Sequence, residues 1–225
     1  AAFWLASWFS AREHSTTPLI CLAFLSVVII ATGSRTPLLA LSITALWLCM
    51  LNANRRSLMV IVIGLILGTG LLYLYPEAIM SRGLSYRPDI WIEALKLANE
   101  QLLFGYGYDH QLLLELRGSD LLFNDPHNIE LAVLLAGGLV GLVLWIVLYT
   151  IALVYSWRNR CNPAAVIASA LLVFGLAAGL TEGRDFLSRP KEHWFLIWIP
   201  FALIISAWTG ASSGKGNGLE SSQSV

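Results

Sequence analysis

The sequence predicts an all-α fold: a polytopic transmembrane helical bundle with one amphipathic helical segment outside the bilayer. Three observations predict it. Hydrophobic residues fill 57% of the 225 positions and charged residues only 12%, against about 25% charged in an ordinary soluble domain. The mean hydropathy is +0.69, with 9 Trp, which is more apolar surface than a water-soluble core of this size can bury. Apolar runs close to the roughly 20 residues needed to cross a bilayer recur along the chain. The 14 Lys+Arg against 14 Asp+Glu leave no net charge, which argues against a nucleic-acid partner.

Residues 1–9 (AAFWLASWF) are apolar with no basic stretch ahead of them. They read as the tail of an earlier span, so the chain reads as a C-terminal part of a longer protein. Spans are expected at about 16–33, 36–53, 57–75, 129–156, 164–180 and 194–209. This gives N-terminal helices over 1–75, an outer segment over 76–128, C-terminal helices over 129–209 and a flexible Gly/Ser-rich tail over 210–225. The stretch from Pro18 to Leu51 is broken only by Gly33-Ser34-Arg35-Thr36. As one helix it would run about 51 Å, too long for a single span. Arg35 therefore belongs at the membrane surface or slightly below it, where an ionisable residue is a functional candidate. Cys21, Cys49 and Cys161 form neither a disulfide framework nor a zinc spacing.

The loops holding Arg55-Arg56 and Arg158/Arg160 carry no acid, and the positive-inside rule places them in the cytoplasm. Alternation then puts Gly33–Thr36, residues 76–128 and the loop 181–193 together outside. That last loop carries Arg184, Arg189 and Lys191 against the rule, balanced by Glu182, Asp185 and Glu192. The pairs Gly64/Gly68, Gly137/Gly141 and Gly175/Gly179 have the spacing that lets helices approach closely.

In the outer segment, Arg87-Pro88-Asp89 reads as a helix start, because Pro is favoured in the first turn. From there Ile90, Trp91, Ala94, Leu95, Ala98 and Leu102 share one face and Asp89, Glu93, Lys96 and Glu100 the other. This is an amphipathic helix over about 88–102. Arg87 beside its N-terminus suits a phosphate. Gly105-Tyr106-Gly107-Tyr108-Asp109 reads as a tight turn. Asp125 and Pro126 then suit the cap and first position of the fourth span, which puts His127 in its first turn. A neutral His with a free ring nitrogen is a candidate general base.

Taken in order, TGSRTPLLAL at 32–41, Arg87 and Trp91 within SYRPDIWIEAL, LLFGYGYD at 102–109 and DPHNIELAVLLAGGLVGLVL at 125–144 resemble the core of the bacterial O-antigen ligase and polymerase family over roughly residues 30–150. Leu102-Leu103 stand where the family often carries Pro. The resemblance implies an inner-membrane glycosyltransferase with its active site on the outer, periplasmic side. Such an enzyme moves a glycan from an undecaprenyl diphosphate carrier to an acceptor hydroxyl, on lipid A core in a ligase or on another carrier-linked repeat in a polymerase. It implies Arg35 and Arg87 on the diphosphate and His127 taking the acceptor's proton, with inversion at the anomeric carbon and neither metal nor cofactor. Arg184, Arg189 and Lys191 are accessory cations that would attract anionic substrates. A lipid-linked sugar transporter would also need outward arginines, but the paired broken helices of such folds are not found. A non-catalytic scaffold would use the same residues for stability alone.

Overall fold

The computed structural model describes residues 1–11, 16–74, 86–115, 122–184, 186–187 and 194–220. Its elements are α1 (Ala2–Ser10), α2 (Thr17–Ala31), α3 (Arg35–Leu51), α4 (Arg55–Leu74), α5 (Arg87–Glu100), β1 (Leu114–Glu115), β2 (Leu122–Phe123), α6 (Ile129–Arg158), α7 (Pro163–Gly179), a π-helical turn (Trp194–Trp198) and α8 (Ile199–Glu220). The chain is overwhelmingly helical, as its composition predicts. Among the described residues one helix, α6, is both long and apolar enough to cross a membrane, while α2, α3, α7 and Trp194–Gly210 are shorter apolar helices.

Three features differ from the sequence expectation. The amphipathic helix ends at Glu100 rather than 102, before the turn that follows. The two-stranded antiparallel pair of β1 and β2 gives no periodic signal, being two residues per strand. Helix α8 continues to Glu220, through the Gly/Ser-rich stretch read as a flexible tail from 210. Extending an existing helix adds one bond per residue with no new nucleation cost.

Helix α7 is the centre of the packing, with α1, α3 and α8 against it. Its small residues make this possible: Ala165, Ala168, Ala170 and Ala177 are all buried, and short side chains let neighbouring backbones come close. One core cluster joins Leu5 and Phe9 of α1 to Leu48 of α3 and Val166 of α7. Another joins Trp145 and Tyr149 of α6 to Leu172 of α7 and Phe201 of α8. Trp47 of α3 donates its indole N–H to Ser169 Oγ of α7 at 3.1 Å, which satisfies a polar group inside an apolar interface. Among the described glycines of these pairs, Gly175 and Gly179 are the ones used for close approach. A Cβ on Gly175 would collide with the backbone of Leu196, and one on Gly179 would sit 3.1 Å from Ile129, whereas Gly64 and Gly137 have open space beside them.

Polar contacts lie near the two ends of α3. Arg56 donates to the carbonyls of Trp8 at 2.6 Å and Ala11 at 2.7 Å, capping the end of α1 with a cation where the helix dipole is negative. At the other end, Thr36 at the start of α3 meets Thr181 after α7, hydroxyl to hydroxyl at 3.0 Å.

Helix α6 is broken once, at Gly138, whose φ of 61° and ψ of −159° are not helical. The broken ladder is satisfied by the turn after α5. Leu139 N–H donates to Leu102 O at 2.8 Å and Val140 N–H to Leu103 O at 3.2 Å, while Leu135 O accepts from Tyr106 N–H at 2.8 Å and Ala136 O from Gly107 N–H at 2.9 Å. Two carbonyls and two amides beside the kink are thus paired, as backbone in an apolar setting requires. The Gly-Tyr-Gly motif is a tight turn, and its purpose is this interlock.

Candidate functional site

The segment Asp125-Pro126-His127-Asn128 is held by four bonds. Asp125 Oδ1 accepts from the backbone N–H of His127 at 2.7 Å. Pro126 is fully buried, and its carbonyl accepts from Trp91 Nε1 at 3.1 Å, which ties α5 to this turn. Asn128 Oδ1 accepts from Leu131 N–H at 2.9 Å, and its Nδ2 donates to Leu180 O at 3.0 Å. The cap of α6 is therefore Asn128, not Asp125, and His127 lies just before the helix rather than in its first turn. Asp125 is spent on the turn itself.

His127 has φ of +49°, in the left-handed region that few non-glycine residues adopt, although His is among the less penalised types. Such a conformation persists only where the surroundings enforce it, and it clusters at functional sites. Replacing Asn128 with Ala is expected to cost roughly 1–2 kcal/mol through the lost cap and to release His127 from this conformation. A lowered thermal midpoint of the detergent-solubilised protein is the measurement.

The side chain that gathers the site is Glu182, which the sequence reading treated only as charge balance. Its Oε1 accepts from Arg87 Nη2, and its Oε2 lies 3.8 Å from His127 Nδ1. Asp125 Oδ2 flanks the same ring nitrogen at 3.9 Å. Arg87, Glu182 and His127 are each partly exposed, with side-chain accessibilities of 33%, 49% and 35%, so the cluster is open to a ligand. Arg35 begins α3 and is exposed. It precedes Thr36, whose hydroxyl meets Thr181, the neighbour of Glu182.

Three segments far apart in the chain thus meet at residues 181–182. Arg184 donates to the Asn124 carbonyl at 2.5 Å and the His110 carbonyl at 3.1 Å, which makes it a tie between loops. Arg189 and Lys191 lie outside the described residues. The one signal in the sequence for Glu182 was the unexpected charge of its loop, which could not say which acid faced inward.

A carboxylate held against a guanidinium, beside an imidazole in an enforced turn, can do two things. The guanidinium can bind an anion bidentately once the carboxylate yields, and the imidazole can exchange a proton with a bound hydroxyl. The family model described as O-antigen ligase matches residues 20–146, a stretch that contains Arg35, Arg87 and His127. An O-antigen ligase of Pseudomonas aeruginosa is 51% identical over 209 residues, covering 92% of this chain and 52% of that protein. The chain spans about half the length of this curated relative. No solved structure matches it. With the family model covering more than half the chain, and its helices and motifs in the order described above, the protein belongs to the O-antigen ligase family.

Proposed function

We propose that the chain carries the catalytic centre of a multi-pass inner-membrane glycosyltransferase. Its reaction moves a glycan from an undecaprenyl diphosphate carrier to an acceptor hydroxyl, with lipid A core as the acceptor. The single observation that carries the proposal is the Glu182 carboxylate lodged between Arg87 and His127. An anion already occupies the position that a diphosphate would take. The ion pair is partly exposed, and such pairs contribute only about 0–1 kcal/mol, so a diphosphate with more oxygens displaces the carboxylate cheaply.

In the reaction the bond between the anomeric carbon and the diphosphate oxygen breaks, and its electron pair leaves with the diphosphate. Arg87 and Arg35 stabilise the charge that develops there. The acceptor oxygen attacks the anomeric carbon from the opposite face, which inverts it, and its proton passes to His127. Glu182 and Asp125 flank Nδ1 at 3.8 and 3.9 Å, and in this reading Nε2 is the nitrogen that takes the proton. Glu182 is then a positioning residue: it leaves Arg87 when the donor binds and orients His127. The exposed apolar side chains of α2, with Phe24 69% and Val27 66% accessible, support a lipid-facing surface. The name of the P. aeruginosa relative favours ligase over polymerase.

Glu182→Gln separates these roles. Its amide no longer competes for Arg87 as an anion, so the donor KM falls. His127 loses its charged orienter, so kcat falls by roughly tenfold, about 1.4 kcal/mol of barrier. Steady-state transfer kinetics with the full-length protein in proteoliposomes read both. A raised donor KM with kcat intact contradicts the assignment. At the level of the whole reaction, a null host complemented with the wild-type gene restores the polysaccharide ladder on lipid A, whereas polymer left on the carrier in both cases rules out the ligase activity.

A further inference from the structure

We propose that the cavity beneath the Gly105–His110 turn is a binding subsite for a pyranose ring of one of the glycan substrates, an inference that rests on the glycosyltransferase reading above. The cavity measures about 310 Å³, at the small end of the roughly 300–1,000 Å³ typical of ligand sites. Its floor is the first half of α6, at Ala132, Leu135 and Ala136, and its rim carries Tyr108, Asp109, His110 and Arg184.

This is the chemistry that a sugar ring needs. A pyranose has an apolar C–H face that packs on an aromatic ring, and a girdle of hydroxyls that donate and accept. Tyr108 is 40% exposed and edge-on to Phe186, with ring centroids 5.7 Å apart. Tyr106 and His110 stack at 4.7 Å with an interplanar angle of 20°. Tyr106 is pinned through its hydroxyl, which donates to Leu97 O at 3.1 Å and lies 2.9 Å from Glu100 Oε2. Partial burial, and then Glu100, hold that phenol above its ordinary pKa, so it stays a neutral donor. Asp109 supplies an acceptor for sugar hydroxyls. Its carboxylate also disfavours a diphosphate at this rim, where Arg184 holds the Asn124 and His110 carbonyls.

The cavity is preorganised. The Tyr106 and Gly107 amides bond to the kinked α6 backbone, and Gly105 approaches it so closely that a Cβ there would sit 2.5 Å from Leu135 O. A rigid site avoids the ordering cost that a mobile loop imposes on binding. It also adjoins the proposed centre. Arg184 follows Glu182 by two residues and bonds to Asn124, which opens the turn that carries His127.

The experiment uses the full-length protein with Tyr108→Ala and, as a second change at an exposed position, Asp109→Asn. Two probes are used: deacylated lipopolysaccharide core oligosaccharide as acceptor, and undecaprenyl diphosphate-linked glycan as donor. Each variant is expected to raise the KM of one substrate by about tenfold, the scale of one lost stacking or hydrogen-bonding partner. A rise for the acceptor places the acceptor's ring in the cavity; a rise for the donor places the donor's. Unchanged KM values for both substrates in both variants overturn the subsite and leave the transferase reading intact. Binding of the core oligosaccharide and of the donor to protein carrying His127→Ala, read by saturation-transfer NMR, gives a readout without turnover. Loss of either signal on adding Tyr108→Ala supports the subsite even if no transfer is ever detected. Equal signals with and without Tyr108 overturn it.

Discussion

Replacing His127 with Ala is expected to lower glycan transfer by about 10²- to 10⁴-fold, the usual contribution of a positioned general base, with the amount of protein in the membrane unchanged. The expectation follows from where the side chain sits. It is partly exposed and outside the helix, with its nearest charged neighbours at 3.8 and 3.9 Å, so removing it opens no core cavity. The backbone bond from its N–H to Asp125 survives the substitution. Gel analysis of surface polysaccharide, with immunoblotting for the protein, checks this: an intact ladder at normal protein levels eliminates the base. His127→Asn is the informative companion, since Asn tolerates the left-handed backbone but cannot take the proton. It is expected to be as inactive as His127→Ala while melting closer to wild type.

The second large effect is structural and distinguishes two adjacent glycines. Gly138→Ala is expected to destabilise the protein by at least about 3 kcal/mol, because the residue occupies a backbone region that is essentially glycine-only. Its Cβ would also be driven into the carbonyl group of Leu103. The interlock between α6 and the Gly105–Gly107 turn would open, and with it the rim beside the site. Gly137→Ala, one residue earlier, meets nothing within 4 Å. It is expected to be neutral, or stabilising by roughly 0.5–1 kcal/mol through helix propensity. Membrane-inserted protein level and thermal midpoint in detergent measure both; equal behaviour of the two variants contradicts the kink.

That contrast shows where sequence reading stops. Helices α2, α3, α6 and α7 lie close to where apolar runs between loop signals put them, because length and hydropathy are local properties. A helix beginning beside Arg87, and a break between helices at Arg35, follow from Pro and Gly-Ser punctuation in the same way, and the structure takes both arginines into the first turn. Gly137 and Gly138 are indistinguishable by spacing, since what separates them is a turn arriving from more than 30 residues upstream. Asp125 and Asn128 both look like caps, and only the bond from Asn128 to Leu180, set by tertiary packing, decides between them. Glu182 lies 95 positions from Arg87, and no periodicity could pair them. The glycines of Gly105-Tyr106-Gly107 announce a tight turn, but nothing local announces its partner on α6.

The most direct test of the account is a structure of the full-length protein with undecaprenyl diphosphate bound. The account predicts diphosphate oxygens within hydrogen-bonding distance of Arg87 and Arg35. Glu182 will have moved from the guanidinium towards His127, and Nε2 of His127 will face the space where the acceptor attacks. A diphosphate seated elsewhere, with the Arg87–Glu182 pair undisturbed, contradicts it.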